Sequence, residues 1–269
     1  MIDTHCHIIP KFEYNNPKEI IHNAVKNGVN KMIVIGCDFE DIEQCFNLQK
    51  NFPDNVLVAI GLHPETVHID TNVHEAWEKF QTIVENNLNN IFAIGECGLD
   101  FHYFSDEDAE VITKKQMVLF KKHLDLCKKI QKPVIIHTRD AWESTFQLFN
   151  EYDFQNVKMS NSSIQDLENS SFPIRDIKLT NGIVHSFTGG KYEAEICIKN
   201  NFKLGINGIV TFQNKSIDAL RQAVKFAGKE NIVLETDSPF LTPVPYRGQK
   251  NEPARIKDIA EFVEELFAS

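Results

Sequence analysis

Apolar residues along this chain gather into short strand-like runs, separated by stretches of helical periodicity. The runs are Ile2–His5, Lys31–Gly36, Val56–Gly61, Ile91–Gly95, Pro133–His137, Gly182–His185, Phe202–Ile206 and Ile232–Glu235. A strand exposed on one face alternates apolar and polar residues. A continuous run marks a strand buried on both faces, as in a parallel sheet covered by helices. Eight such runs are the number a (β/α)8 TIM barrel needs, so the expected fold is α/β, with one barrel domain over residues 1–269. Between the runs, Asn16-Pro17 followed by Glu19 reads as a helix start, and Gly28 as its end. Ile217–Phe226 reads as an amphipathic helix with Ser216 at its cap and Gly228 at its close. Lys114–Lys132 and Asp258–Phe267 are further helical patterns. One segment breaks the rhythm. From about Tyr152 to about Lys178 the chain is rich in Asn and Ser and contains Pro173, which reads as a surface insertion, either plain decoration or a lid on the substrate side.

Composition narrows the choice of partners. The chain has 42% hydrophobic and 25% charged residues, ordinary globular usage. Mean hydropathy is −0.29 and no apolar run has the length of a bilayer span, so no membrane association is expected. The opening Met-Ile-Asp-Thr-His-Cys-His lacks a basic and apolar leader, which points to cytoplasm or nucleus. The net charge of −10 argues against binding a polyanion by bulk attraction. Action on a nucleic acid therefore needs a local reversal of sign, which bound divalent cations would supply. The six cysteines form no CxxC pair and read as reduced structural thiols.

The polar residues at the ends of the runs carry the chemistry. His5 and His7 end the first run; two residues apart on a strand, they point to one side. His63 follows the third run, Glu96 the fourth, His137 the fifth, His185 the sixth and Asp237 the eighth. In a (β/α)8 barrel the carboxyl ends of all strands converge on one face, where active sites lie. Imidazole and carboxylate together are ligands of Zn, Mn, Fe and Ni. His5, His7, Glu96, His137, His185 and Asp237 are more donors than one tetrahedral ion uses, whereas two ions sharing a carboxylate would use them all. Two such ions acidify water and grip both oxygens of a displacement, which suits phosphoester hydrolysis, with Asp237 as general base or as ligand only. Arg139 and Arg247 either fork onto phosphate or pair with a carboxylate. Phe101, Tyr103, Phe187 and Tyr246 either stack on bases or pack in the ordinary way. His102 is a candidate for substrate contact, while His22, His68, His74 and His123 read as surface or structural.

The segments Ile2-Asp3-Thr4-His5-Cys6-His7, Gly61-Leu62-His63-Pro64, Gly95-Glu96-Cys97-Gly98-Leu99-Asp100, Pro133 to Arg139, His185 to Gly189, Gly208 to Phe212, Leu234 to Pro239 and Asn251 to Ala254 together resemble the TatD family of metal-dependent deoxyribonucleases. The resemblance runs in order over nearly the whole chain. It implies an amidohydrolase-type TIM barrel holding one, two or three divalent ions (Mg2+, Mn2+ or Zn2+). It implies DNA hydrolysis, usually as a 3′-to-5′ exonuclease preferring single strands. On its motifs, His5, His7, Glu96 and Asp237 would hold one ion and Glu96, His137 and His185 the other. His63 would touch the scissile phosphate or hold a third ion. Beside His63, the positions at the rim make Arg139, Phe101, Tyr103 and Arg247 the candidate substrate contacts. The partner would be single-stranded 3′ ends and the expected state a monomer. The same ligand set also suits an amidohydrolase or a D-aminoacyl-tRNA deacylase, and the third alternative is a metal-bound scaffold without catalysis.

Overall fold

The eight runs form eight parallel strands. The computed structural model of the chain describes residues 1–12, 14, 16–102, 108–160, 162–165 and 176–269. In chain order the barrel strands and helices are β1 (Ile2–Cys6), α1 (Pro17–Lys26), β2 (Lys31–Gly36), α2 (Phe39–Asn51), β3 (Val56–Ile60), α3 (Val73–Asn87), β4 (Ile91–Asp100), α4 (Ala109–Ile130), β5 (Val134–Arg139) and α5 (Trp142–Glu151). A hairpin follows, β6 (Ser162–Gln165) and β7 (Asp176–Leu179), and then β8 (Gly182–Val184), α6 (Lys191–Lys199), β9 (Phe202–Ile206), α7 (Asp218–Ala227), β10 (Ile232–Leu234) and α8 (Ile256–Ala268). The sheet order is β1-β2-β3-β4-β5-β8-β9-β10, every pair parallel.

The first and last strands meet just beyond β10. Asp237 N donates to His5 O at 2.9 Å and His7 N to Ser238 O at 2.7 Å. Asp3 bridges the same seam: its carboxylate accepts from Thr236 N at 2.9 Å and from Thr236 Oγ1 at 2.6 Å. These bonds close the ring and carry Asp237 to the ends of β1.

The alternation of side chains divides the core in two. Met32, Val34, Val58, Ile60, Ile94 and Ile136 face outward into one cluster with the helices. Ile33, Ile35, Ala59, Ala93, Ile135, Ile183 and Val233 fill the barrel itself. Each fully buried aliphatic side chain stabilises by about 1.5–3 kcal/mol, which is why most of these strands are predominantly apolar.

Three expectations are corrected here. First, the described part of the Asn/Ser-rich insertion is neither decoration nor a substrate-side lid. It forms the antiparallel hairpin β6–β7, with Ile164 opposite Ile177. Ile164, Ile177 and Leu179 are buried against Ile2, Ile183 and Val233, at the amino ends of the strands. That is the face opposite the one carrying the histidines. An uncovered barrel end would leave interior aliphatic groups in water, and the hairpin shields them. Residues 161 and 166–175 of the insertion lie outside the described residues. Second, Ser216 does not cap α7. A short turn comes first, where the Asn214 side chain accepts from Ser216 N at 3.2 Å, and α7 begins at Asp218. Third, β4 runs on to Asp100 instead of stopping at Gly95. Among the described residues no helix is long and apolar enough to cross a membrane.

Candidate metal centre

Backbone geometry aims each donor. The glycines around Glu96 are required by contact as well as conformation. Gly95 (φ +142°) and Gly98 (φ +150°) lie against β5, where an added Cβ would come within 2.4 Å of Ile135 O and 1.9 Å of His137 O. The β4–β5 register shifts between Ile94 and Cys97, and this irregularity turns Glu96 into the barrel mouth. His5 closes β1 from within, and His7 follows two residues later on the same side. Asp237 adopts φ +54°, a left-handed conformation that a short polar side chain tolerates, just past β10.

Six of the expected residues meet around Glu96. His5 Nε2 lies 3.1 Å from His7 Nε2, 3.3 Å from Glu96 Oε2 and 3.7 Å from Asp237 Oδ1. His7 Nε2 is 3.5 Å from Asp237 Oδ1, and His185 Nε2 is 3.6 Å from Glu96 Oε1 and 3.8 Å from Asp237 Oδ1. On the other side, His137 Nδ1 is 2.8 Å and His63 Nε2 3.4 Å from Glu96 Oε1. The ligating atoms fall into compact triads: His5, His7 and Asp237; His5, Glu96 and His185; His63, Glu96 and His137. His63 rather than His185 is thus the neighbour of His137 across Glu96.

The spacing fits divalent ions better than it fits hydrogen bonds. Two imidazole Nε2 atoms at 3.1 Å allow at most one proton between them. Ligand bonds of about 2.1 Å set neighbouring donor atoms about 3.4 Å apart around a tetrahedral ion and about 3.0 Å around an octahedral one. The observed 3.1–3.8 Å separations about His5 and Asp237 are of that size. Among the described residues, the Nδ1 atoms of His5 and His7 are buried without a hydrogen-bond partner, so these rings are left to be balanced by something bound at the centre.

Charge in the centre is strongly correlated. Burial penalises the Glu96 carboxylate, but the facing His185, His63 and His5 and the bond from His137 outweigh it and hold Glu96 ionised, well below the usual range. Asp237 is likewise held low against its burial, by His185, His7 and His5. Burial pulls His137 down, yet its bonds to Asp100 (2.8 Å) and Glu96 raise it to about 9. Burial also pulls His185 down, yet Glu235, Glu96 and Asp237 bring it up to about 10. His5, buried completely, is lowered by that burial and by the charge of His185.

The remaining expected residues divide. Arg139 and His63 line the cavity over the centre, about 870 Å³ in volume. Phe101 packs against the outer core, and Phe187 is buried with its ring 5.5 Å from that of Trp142. Arg247 stacks on Phe212, 3.8 Å from the ring centroid, outside the cavity wall. Tyr246 carries Arg255 over its ring at 4.1 Å. His102 pairs with Asp140 at 2.7 Å. Tyr103 lies outside the described residues. His123 is structural, as expected: it is fully buried and accepts from Leu62 N.

Four further positions at the centre escaped the sequence reading. Glu235 is fully buried inside the last strand run; its Oε1 is 3.0 Å from His185 Nδ1 and accepts from Ser186 N at 2.6 Å. It presents His185 to the centre as an outer carboxylate does for a metal-bound imidazole. Asp100 does the same for His137. Cys37, half-buried, places Sγ 3.8 Å from Glu96 Oε2 in the cavity wall. Phe240 stands 48% exposed at the mouth. The charge in the otherwise apolar run Ile232–Glu235 was the one available signal, since an ionisable group inside a barrel strand needs a partner.

A (β/α)8 barrel with imidazoles and carboxylates gathered at its carboxyl face defines a metal-dependent hydrolase. The profile of TatD-related DNases matches residues 2–268. The chain belongs to that family. It is 32% identical over 266 residues to YabD, a metal-dependent hydrolase of Bacillus subtilis, spanning 99% of this chain and 91% of YabD. It is 27% identical over 277 residues to the metal-dependent hydrolase YcfH of Escherichia coli, spanning 98% of this chain and 86% of YcfH. Among solved structures it superposes on YjjV, a TatD homologue of Escherichia coli, with TM-score 0.79 and 26% identity over 99% of this chain and 90% of that one.

Proposed function

We propose that this protein is a deoxyribonuclease that hydrolyses DNA phosphodiester bonds with two divalent ions, working from the 3′ end of single strands. The observation that carries the reading is the position of Glu96, between a His5–His7–Asp237 side and a His63–His137 side within one cavity. Divalent ions held there would acidify an attacking water and neutralise charge growing on the phosphoryl oxygens. Two of them would also lower the formal charge from −10 to about −6, with all the gain inside the cleft. His5, His7, Glu96 and Asp237, with His185 beside them, would hold one ion, and Glu96, His63 and His137 the other.

The chain's own groups then divide the work. Asp237, held ionised by its imidazole neighbours, accepts the proton of the attacking water. His63 Nδ1 accepts from Glu65 N at 3.2 Å, which turns Nε2 towards Glu96 Oε1 (3.4 Å) and His137 Nδ1 (3.3 Å), beside the place the scissile phosphate would take. Arg139, at the cavity wall, adds a planar fork for a neighbouring phosphate. Glu235 and Asp100 keep His185 and His137 in place through turnover.

The test is cleavage of a 5′-labelled single-stranded DNA by metal-stripped protein resupplied with Mg2+, Mn2+ or Zn2+. Expected is a ladder shortening from the 3′ end. Glu96→Ala should abolish it and Asp237→Asn lower kcat by about 10²–10⁴-fold. Folded, metal-loaded protein that leaves DNA intact but releases amino acid from an aminoacyl-tRNA would overturn the reading.

A further inference from the structure

Two aromatic rings at the cavity mouth have no role in the hydrolytic machinery. Phe240 and Phe12 meet edge to face, with centroids 5.6 Å apart and planes at 82°. Both lie beside a residue of the centre: the His7 ring is 5.3 Å from Phe12 and 6.3 Å from Phe240. A lone exposed phenylalanine is ordinary. Here Phe240 is 48% exposed while the backbone beneath it is tightly held. Phe240 N donates to Asp237 O at 2.8 Å, and the buried Asn251 donates from Nδ2 to Phe240 O at 2.7 Å and to Thr236 O at 2.9 Å. Tyr14 in turn donates to Asn251 O, and Phe12 packs partly against the core. The ring of Phe240 therefore projects from a fixed loop, and Phe12 limits its travel. Little ordering cost remains when a flat ligand settles on it.

We propose that Phe240, braced by Phe12, is a stacking platform for a nucleobase of the strand whose phosphate lies at the metal centre. This rests on the nuclease reading and goes further, assigning the residue that distinguishes a nucleotide from a bare phosphodiester. Every base has a π-face, so such a platform grips single strands without selecting sequence. A paired base is already stacked on both faces, so the platform favours single strands and frayed ends over duplex. The ring carries no charge and leaves the phosphate to the cations and Arg139.

The experiment combines the variant with a modified substrate. Wild type, F240A, F240W and F12A would be assayed on single-stranded DNA and on the same strand carrying one abasic site, moved stepwise through the three 3′-terminal nucleotides. Loss of one stacked base lowers kcat/KM by about 5–150-fold. The expected result is a loss of that size for F240A on the intact strand, a matching loss for wild type at one abasic position, and no further loss when the two are combined. F240W should keep most of the wild-type rate, and F12A should give a smaller loss at the same position. Losses that multiply, or F240A cleaving the intact strand at the wild-type rate, would overturn the platform while leaving the nuclease standing. Wild type that cleaves no strand with any of the three metals would overturn both.

Discussion

Replacing His123 by glutamine separates what α4 does for the fold from what it does for the centre. His123 is fully buried, with Nδ1 bonded to Leu119 O at 2.7 Å and Nε2 accepting from Leu62 N at 3.1 Å. One nitrogen donates and the other accepts, so only the neutral ring satisfies both bonds. The Trp77 and Phe80 rings, each 5.0 Å away, offer no counter-charge. Burial lowers the imidazole from its usual 6.5 to about 4. The unfolded chain binds a proton below 6.5, whereas the folded chain resists until about 4. This contribution is therefore full above 6.5 and drains away as pH falls towards 4. The drop from 6.5 to about 4 corresponds to about 3 kcal/mol in all, most of it gone by pH 4.5. Glutamine can still accept from Leu62 N but does not titrate. Urea unfolding in the presence of chelator should show His123→Gln about 1–3 kcal/mol weaker at pH 7.5, where a bond or its geometry is lost. The gap should close, or reverse, by about 2–3 kcal/mol on going to pH 4.5. A gap constant across that range would refute the reasoning, since other titrating groups cancel in the difference. Leu62 immediately precedes His63, so the variant should also lower kcat at saturating metal with little change in the number of ions bound.

Three further outcomes follow from the same geometry. His137 and His185, raised to about 9 and 10, carry protons at pH 7 in the metal-free protein, so loading the centre should release close to two protons and its affinity should rise with pH up to that range; calorimetry in buffers of different ionisation heat measures this. Glu235→Gln at saturating metal should cost about 10–100-fold in kcat/KM, and Gly205→Ala should do the same, because its Cβ would come within 2.3 Å of Glu235 Oε2; retention of full activity by both would remove Glu235 from the centre. Free metal at about 100 times Kd should stabilise the fold by about 2.7 kcal/mol and raise Tm by about 5–10 °C, an increase absent from Glu96→Ala in thermal melts.

Local pattern sufficed for the strands and for most of the centre. A strand buried on both faces is apolar at most positions, and that is a property of the strand alone, so most of the runs could be read directly; β1, with Asp3, Thr4 and His5 buried, owes its polar residues to the seam and the centre. The polar residues just past those runs then had one place to go, because a barrel gathers its strand ends on one face. That reasoning reaches His5, His7, Glu96, His137, His185 and Asp237 without coordinates. It stops where a partner, rather than a face, must be named. Glu235 looks like one more residue of its run until β8 brings His185 within 3.0 Å. Nothing in the sequence marks Phe240 until barrel closure sets it beside His7, and Arg247 reads as a phosphate fork or a carboxylate partner until Phe212 is found beneath it. The Asn/Ser-rich insertion has no pattern that says which end of the barrel it covers; the apolar edge exposed at the amino ends decides that. Periodicity records whether a position is dry. Which group meets it there depends on the register and closure of strands more than 200 residues apart, as with Asp3 and Thr236, and only the assembled barrel settles those.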